Sequence, residues 1–212
     1  MAVIGKERNM ENYNKKENYV YDFTDEWNRN HNKTKIVEQY FNLLHGKVAE
    51  MGCNSGYHCF IIAENEKITE VRGFDINEKS LTFADNKNRS KFPQRVSKKV
   101  KFTKCNLTKV DIMDSYFDLV ISFHTLEHIY PKDLHSVLLE KYRVLKNGGK
   151  LLLSLPYLRA FDCNGHVNYF DLDKIDSELS KVGFIKEELY VDSRMGDDPR
   201  RLCITGVFKK NE

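Results

Sequence analysis

What this sequence lacks narrows the possibilities before any motif is considered. Its five cysteines (Cys53, Cys59, Cys105, Cys163 and Cys203) are odd in number, scattered, and nowhere spaced as C-x-x-C. That argues against a disulfide framework and a structural zinc site and fits a reducing compartment. Charge of one sign is not in excess: 34 Lys and Arg stand against 31 Asp and Glu, a net +3. This is too near balance to imply a nucleic acid or a membrane surface as partner on charge alone. No N-terminal apolar run is long enough for a signal peptide, and no stretch approaches a membrane span. Internal repeats and low-complexity linkers are missing too. The 212 residues therefore read as one domain with enough chain for a full core, expected in the cytoplasm as a monomer or homodimer.

What is present begins with a polar arm. Residues 1–34 are rich in Asn, Lys, Glu and Tyr without sustained periodicity. They read as an arm or lid with room for one short helix around Tyr21–Trp27. Trp27, the only tryptophan, either anchors this arm to the body or walls a ligand site. From residue 35 the chain alternates. Ile36, Val37, Tyr40, Phe41 and Leu44 fall on one helical face over 34–45. Strands are expected at Lys47–Met51, Glu70–Asp75, Val100–Asn106, Phe117–Phe123 and Lys150–Leu155, the last apolar apart from Lys150 and Ser154, as a buried parallel strand should be. Helices are expected at 57–65, from an Asn77 cap, at Lys132–Leu145 up to an Asn147-Gly148-Gly149 stop, and at Ile175–Val182. Two further strands, Phe184–Asp192 and Leu202–Phe208, follow closely enough to pair as a hairpin. This order predicts an α/β fold over residues 35–212: an open, doubly wound, mostly parallel sheet with helices on both faces.

The most informative stretch is Lys47–Gly56. An apolar strand runs into Gly52 and Gly56 and then into the helix-like Tyr57–Ala63, the opening half of a βαβ nucleotide-binding unit. A dinucleotide fingerprint needs three spaced glycines, so that backbone can approach a pyrophosphate and the helix can sit tight on the strand. Counting from Gly52, the other two places hold Asn54 and Tyr57. A diphosphate is thereby disfavoured, and a nicotinamide oxidoreductase with it. A ligand with an adenosine and no phosphate fits better, and S-adenosylmethionine is such a ligand.

The acidic-x-Gly-x-x-x-Gly pattern of Glu50, Gly52 and Gly56 resembles the first motif of the class I S-adenosylmethionine-dependent methyltransferases, and the likeness continues in order to the C-terminus. It implies seven strands, the seventh inserted antiparallel beside the fifth, and S-adenosylmethionine as cofactor. The loop Glu50, Gly52, Cys53, Asn54 and Gly56 would carry the cofactor. Asp75 lies about twenty residues past the glycine turn, at the ribose-binding offset, with an N-cap role for the next helix as the alternative. At the end of strand three the family usually places an aspartate against the adenine amino group; here Asn106 stands there. Its amide oxygen can accept the same bond, with Leu107 over the ring, or it merely ends the strand. Phe117–His124 resembles the fourth motif, so the backbone at Ser122, Phe123 and His124 would pass the sulfonium.

Methyl transfer from a sulfonium is an in-line displacement, and an oxygen acceptor must also lose a proton. His124 and His166 are the candidate catalytic bases. His124, Glu127 and His128 stand at i, i+3 and i+4, so one helical turn would gather them, and His166 lies in the loop after strand five. The set resembles a subset of the family, among them ubiquinone-pathway O-methyltransferases and small-RNA 2′-O-methyltransferases, in which Glu-x-x-Glu-His and a later His bind a divalent metal. His124 replaces the first glutamate here. The main expectation is therefore no metal, with His124, Glu127, His128 and His166 as an alternative site suited to zinc rather than magnesium. The Asp/Asn-Pro-Pro-Tyr/Phe signature of amino-methylating DNA enzymes is absent after strand four, as is a basic stripe with interleaved aromatics. A small-molecule acceptor is the expectation, with Arg159, Arg194, Arg200 and Arg201 able to meet an anionic one. The alternatives are a non-catalytic S-adenosylmethionine-binding partner protein and a metal-assisted RNA 2′-O-methyltransferase.

Overall fold

The structure, a computed structural model, describes residues 32–160, 165–193 and 202–211. The arm up to residue 31, with Trp27, lies outside these, as do Cys163, Arg194, Arg200 and Arg201. The elements run α1 (Asn32–Gln39), β1 (Gly46–Met51), α2 (Tyr57–Ala63), β2 (Ile68–Asp75), α3 (Glu78–Phe83), α4 (Gln94–Ser97), β3 (Val100–Lys104), β4 (Phe117–Phe123), α5 (Pro131–Val144), β5 (Leu145–Pro156), α6 (Leu172–Lys181), β6 (Phe184–Asp192) and β7 (Cys203–Lys210). They form one seven-stranded sheet in the order β3-β2-β1-β4-β5-β7-β6. The first five strands are parallel, and β7 runs antiparallel between β5 and β6. The α/β reading with an antiparallel last strand therefore holds.

Strand alternation explains the two apolar layers. On β1, Ala49 and Met51 face one layer and Val48 the other; on β5, Leu151, Leu153 and Leu155 oppose Leu152. The first layer is closed by Leu134, Val137 and Leu138 of α5 and by Ile175 and Leu179 of α6. The second takes Ile36 and Val37 of α1 and Phe60 and Ile62 of α2. Phe60 stacks on Phe92 at 5.0 Å. Side chains of this size each contribute about 1.5–3 kcal/mol when fully buried. Strands buried on both faces and reached by crossover helices are what a continuous run such as Leu151–Leu153 requires.

Several boundaries differ from the sequence expectation, and two of them have a clear cause. The Asn147-Gly148-Gly149 stop does not follow the helix directly: α5 ends at Val144, and Leu145 already pairs with Phe117. The next pair is Leu119 with Lys150, so residues 146–149 bulge out of β5. The Lys146 ammonium, 2.6 Å from Asp118 Oδ1, closes that bulge, while Asp118 Oδ2 accepts from the Lys47 amide at 2.8 Å and so joins β1 to β4. The helix expected over 34–45 also ends early, at Gln39, and a 3-10 turn over Phe41–Leu43 completes the connection.

The described cysteines Cys53, Cys59, Cys105 and Cys203 are free thiols, and no helix among the described residues is long and apolar enough to cross a membrane. One core position is costly. Lys141 on α5 is 0% exposed, its ammonium has no hydrogen-bond acceptor, and burial pulls its pKa from 10.5 to about 7. Unfolded chains keep this proton up to about pH 10.5 and the folded chain releases it near 7, so stability rises with pH across that window. Lys141→Met should raise the midpoint of urea unfolding at pH 6.5 and abolish that rise between pH 7 and 10. An unchanged pH slope in the variant would contradict the burial argument.

Candidate functional site

Strand order reverses between β1 and β4: β1 pairs with β2 on one side and β4 on the other. The carboxyl ends of these strands therefore border a crevice, where open α/β sheets take their ligands. Gly52 leaves β1 at φ 93, and its amide donates to the Phe74 carbonyl at 2.8 Å. A Cβ on Gly52 would stand 2.3 Å from Thr125 Oγ1 and 2.4 Å from its Cγ2. Thr125 Oγ1 is itself 3.2 Å from the Met51 carbonyl. Gly56, at φ 65, precedes α2, and its missing side chain leaves room for the Phe102 ring. Both glycines thus answer to backbone conformation and to neighbouring side chains. Asn54 is left-handed as well, at φ 45, which Asn tolerates better than most residues.

Asp75 ties this loop to the end of β2. Its Oδ2 accepts from the Asn54 amide at 2.7 Å and its Oδ1 from the Asn77 amide at 2.9 Å. The cap of α3 is Asn77, whose side chain accepts from the Ser80 amide at 3.1 Å, so Asp75 is not the N-cap. Burial raises the Asp75 pKa, against the opposing amides of Asn77, Asn54 and Ile76. Its oxygens keep lone pairs beyond those the amides use. Glu50 lies beneath the loop, 2% exposed, and accepts from Cys59 Sγ at 2.9 Å; burial pushes its pKa to about 7. Cys53 is buried under the same loop, with its thiol pushed up to about 11 by burial.

The β3 side differs from expectation. The strand ends at Lys104, and Asn106 sits exposed on the turn beyond it, its Oδ1 accepting from the Thr108 amide at 3.0 Å. Leu107 is packed into the core. On β4, Phe123 turns into the layer under α2 and offers the crevice its backbone alone. Ser122 is buried, and its hydroxyl has no hydrogen-bond partner.

Beyond β4 the histidines gather, though without the helical turn the spacing suggested. A 3-10 turn covers only Leu126–His128. His124 reaches Glu127 through a left-handed kink, φ 50, which places Nδ1 at 3.5 Å from Glu127 Oε1 and Nε2 at 3.7 Å from Cys203 Sγ. The Glu127 carbonyl accepts from the Val167 amide at 2.9 Å and the Asn168 amide at 3.2 Å, pinning the loop after β5 against this turn. The His166 ring then meets His128 edge-on, with centroids 5.0 Å apart, and Nδ1 of His128 lies 3.0 Å from the Gly165 carbonyl. Ligand atoms of Glu127, His128 and His166 all fall within 4.8 Å of one another. Glu127 is 2% exposed. Burial works to raise its pKa, but His124 and His128 outweigh that and hold the carboxylate below its usual range.

The structure adds residues that the sequence did not flag. Lys33, assigned to the arm, belongs to α1 and feels the charges of Glu50, Glu127 and Asp75; burial lowers its pKa against their pull. Thr125 fills the space beside Gly52, and Cys203 brings β7 to His124. One lysine among many carries no local signal, whereas Thr125 follows the β4 motif directly. Arg159 is exposed over the Tyr169 ring at 4.7 Å.

Comparison with known proteins fits this geometry. Residues 49–153 match the family model described as a methyltransferase domain. The chain is 30% identical over 109 residues to the probable S-adenosylmethionine-dependent methyltransferase of Mycolicibacterium smegmatis, covering 51% of this chain and 37% of that one. It is 27% identical over 145 residues to a probable S-adenosylmethionine-dependent methyltransferase of Mycobacterium tuberculosis, 65% of this chain and 48% of that one. The chain belongs to the class I S-adenosylmethionine-dependent methyltransferases. It spans less than half the length of these two curated relatives. Among solved structures, the N-methyltransferase NodS of Bradyrhizobium japonicum with S-adenosyl-L-homocysteine superimposes with a TM-score of 0.71 at 14% identity, covering 90% of this chain and 94% of that one, a likeness of fold.

S-adenosylmethionine is the cofactor of these methyltransferases, and the residues at the crevice suit it. Asp75 keeps lone pairs for ribose hydroxyls, the Ser122 hydroxyl lacks a partner, and Lys33 supplies a cation for a carboxylate. In this methyltransferase Gly52→Ala should lower stability by about 1–3 kcal/mol through backbone strain and the Thr125 clash, read as a fall in melting temperature. Adding Thr125→Ala removes the two nearest atoms and should restore part of the loss. Strict additivity of the two changes would show that the packing assigned to this pair is wrong.

Proposed function

We propose that this methyltransferase moves the methyl group of S-adenosylmethionine to an oxygen of a small molecule, in the cytoplasm. The observation that carries the reading is the two-sided crevice, with the Gly52–Gly56 loop and Asp75 on one side and His124, Glu127, His128 and His166 on the other. The cofactor supplies an electrophilic methyl on a sulfonium. Asp75 binds the ribose, Asn106 accepts from the adenine amino group, and the backbone at Ser122–His124 borders the sulfonium. His166 or His124 removes the acceptor's hydroxyl proton, for which an imidazole is well matched near neutral pH. The Glu127 carboxylate stabilises the imidazolium that results, as a buried charge does in a low-dielectric site. An oxygen acceptor is favoured because these groups serve proton removal, and a small one because the sequence carries no basic stripe with interleaved aromatics.

Labelled S-adenosylmethionine incubated with fractionated cell extract should deposit label in a small-molecule fraction. His166→Ala should lower kcat about a hundredfold or more while leaving S-adenosylhomocysteine affinity within about threefold. Asp75→Ala should weaken that affinity at least tenfold. Strong S-adenosylhomocysteine binding with no transfer into any fraction would favour the non-catalytic binding protein, and tight binding of NAD in its place would overturn the cofactor side of the reading.

A further inference from the structure

We propose that Asn88 is a positioning residue for S-adenosylmethionine, a role that rests on the reading above of the Gly52–Gly56 loop as the cofactor's. From a π-turn after α3, Asn88 fixes the peptide between Ser55 and Gly56 and with it the shape of that loop. The loop is conformationally demanding. Gly52, Asn54 and Gly56 all have positive φ, at 93, 45 and 65, and left-handed backbone of this kind persists where its surroundings over-determine it. Each amide from Gly52 to Gly56 has an acceptor inside the protein. Those of Gly52 and Cys53 share the Phe74 carbonyl at 2.8 and 3.0 Å, and that of Gly56 meets the Cys53 carbonyl at 2.9 Å. Between them the Asn54 amide meets Asp75 Oδ2 and the Ser55 amide meets Asn54 Oδ1, each at 2.7 Å. The last peptide is the vulnerable one. Its Ser55 carbonyl and Gly56 amide belong to one planar unit and point opposite ways. Turning that unit over would break the Gly56–Cys53 bond, and glycine at 56 offers little steric resistance. Asn88 blocks the rotation: it is 2% exposed, and its Nδ2 donates to the Ser55 carbonyl at 2.7 Å.

The π-turn explains how this side chain reaches the loop. α3 ends at Phe83, and Ala84–Asn88 form a wider turn closed by the Arg89 amide on the Ala84 carbonyl. Such a turn holds one residue more than an α-turn and recurs at functional sites. Here Asp85, Asn86 and Lys87 stay exposed while Ala84 and Asn88 are buried. The Ala84 Cβ stands 3.0 Å from where a Cβ on Gly56 would lie, so the turn packs against the loop as well as bonding to it. Arg89 then donates to the Val100 carbonyl at 3.0 Å, which ties the far side of the turn to the start of β3.

The test uses the full chain, with S-adenosylhomocysteine calorimetry beside urea unfolding. Asn88→Asp keeps the shape of the side chain and removes its N–H donors. Deleting Asn86 turns the π-turn into an α-turn and withdraws Asn88 from Ser55. Both changes should weaken S-adenosylhomocysteine by about tenfold or more, and should raise the KM for S-adenosylmethionine while kcat stays within about threefold. Ile175→Val, in the layer under α5 and α6, is the control for lost stability: it should lower the urea midpoint and leave affinity within about threefold. Asp75→Ala separates the two levels. If it leaves affinity unchanged, the loop does not carry the cofactor and the underlying reading falls. If it weakens affinity while both Asn88→Asp and the deletion bind normally, Asn88 has no positioning role. Should one of these two variants fail to unfold cooperatively, the other decides. Loss of the fold in both would overturn the role, which is confined to the loop, as would an equal loss of affinity in Ile175→Val or a fall in kcat with KM unchanged.

Discussion

The molecule depends on the pairing of β1 with β4. Once β1, β2 and β3 have been laid down in one direction, the chain must return to the open side of β1 before it can continue. A parallel strand can be reached only by a crossover, and two crossovers leaving β1 and β4 in opposite senses leave a gap above their carboxyl ends. Asp118 fixes the other end of this junction, taking the Lys47 amide from β1 and the Lys146 ammonium from β5. Everything at the crevice follows from where these strands stop. The glycine loop leaves one, the histidine kink leaves the other, and Thr125 bridges them by its hydroxyl to the Met51 carbonyl.

Much of this was legible in the sequence where a pattern had a single physical meaning. The bounds of β4 and of β6 were read to the residue, because each is set between strong polar or turn signals. The Asn147-Gly148-Gly149 segment was legible as a break but not as a bulge inside a strand. Turn chemistry marks the chain's change of direction, and only the pairing of Leu145 with Phe117 determines on which side of the break the strand begins. His124 does meet Glu127, at 3.5 Å, but not by the route its spacing suggested. Spacing implied a helical turn, whereas a left-handed kink at His124 brings them together, and such a kink has no periodicity to betray it. Lys33 was invisible because its role comes from the carboxylates it meets in space.

The site also shows two treatments of buried charge within one fold. Glu127 remains an anion because imidazoles stand beside it, while Glu50 beneath the glycine loop has its proton held by burial, with the Cys59 thiol opposing. One carboxylate is thus suited to electrostatics and the other to packing, although both lie at the ends of neighbouring strands. Environment separates the roles of chemically similar groups.

Thr125 occupying the place where Gly52 would carry a Cβ has a consequence for the history of the sequence. The two positions belong to different motifs and are far apart along the chain, yet they share one volume. A lineage that gains a side chain at 52 must lose one at 125 and find another donor for the Met51 carbonyl. Substitution at these two sites should therefore be correlated among homologues, and drift at either alone should be purged.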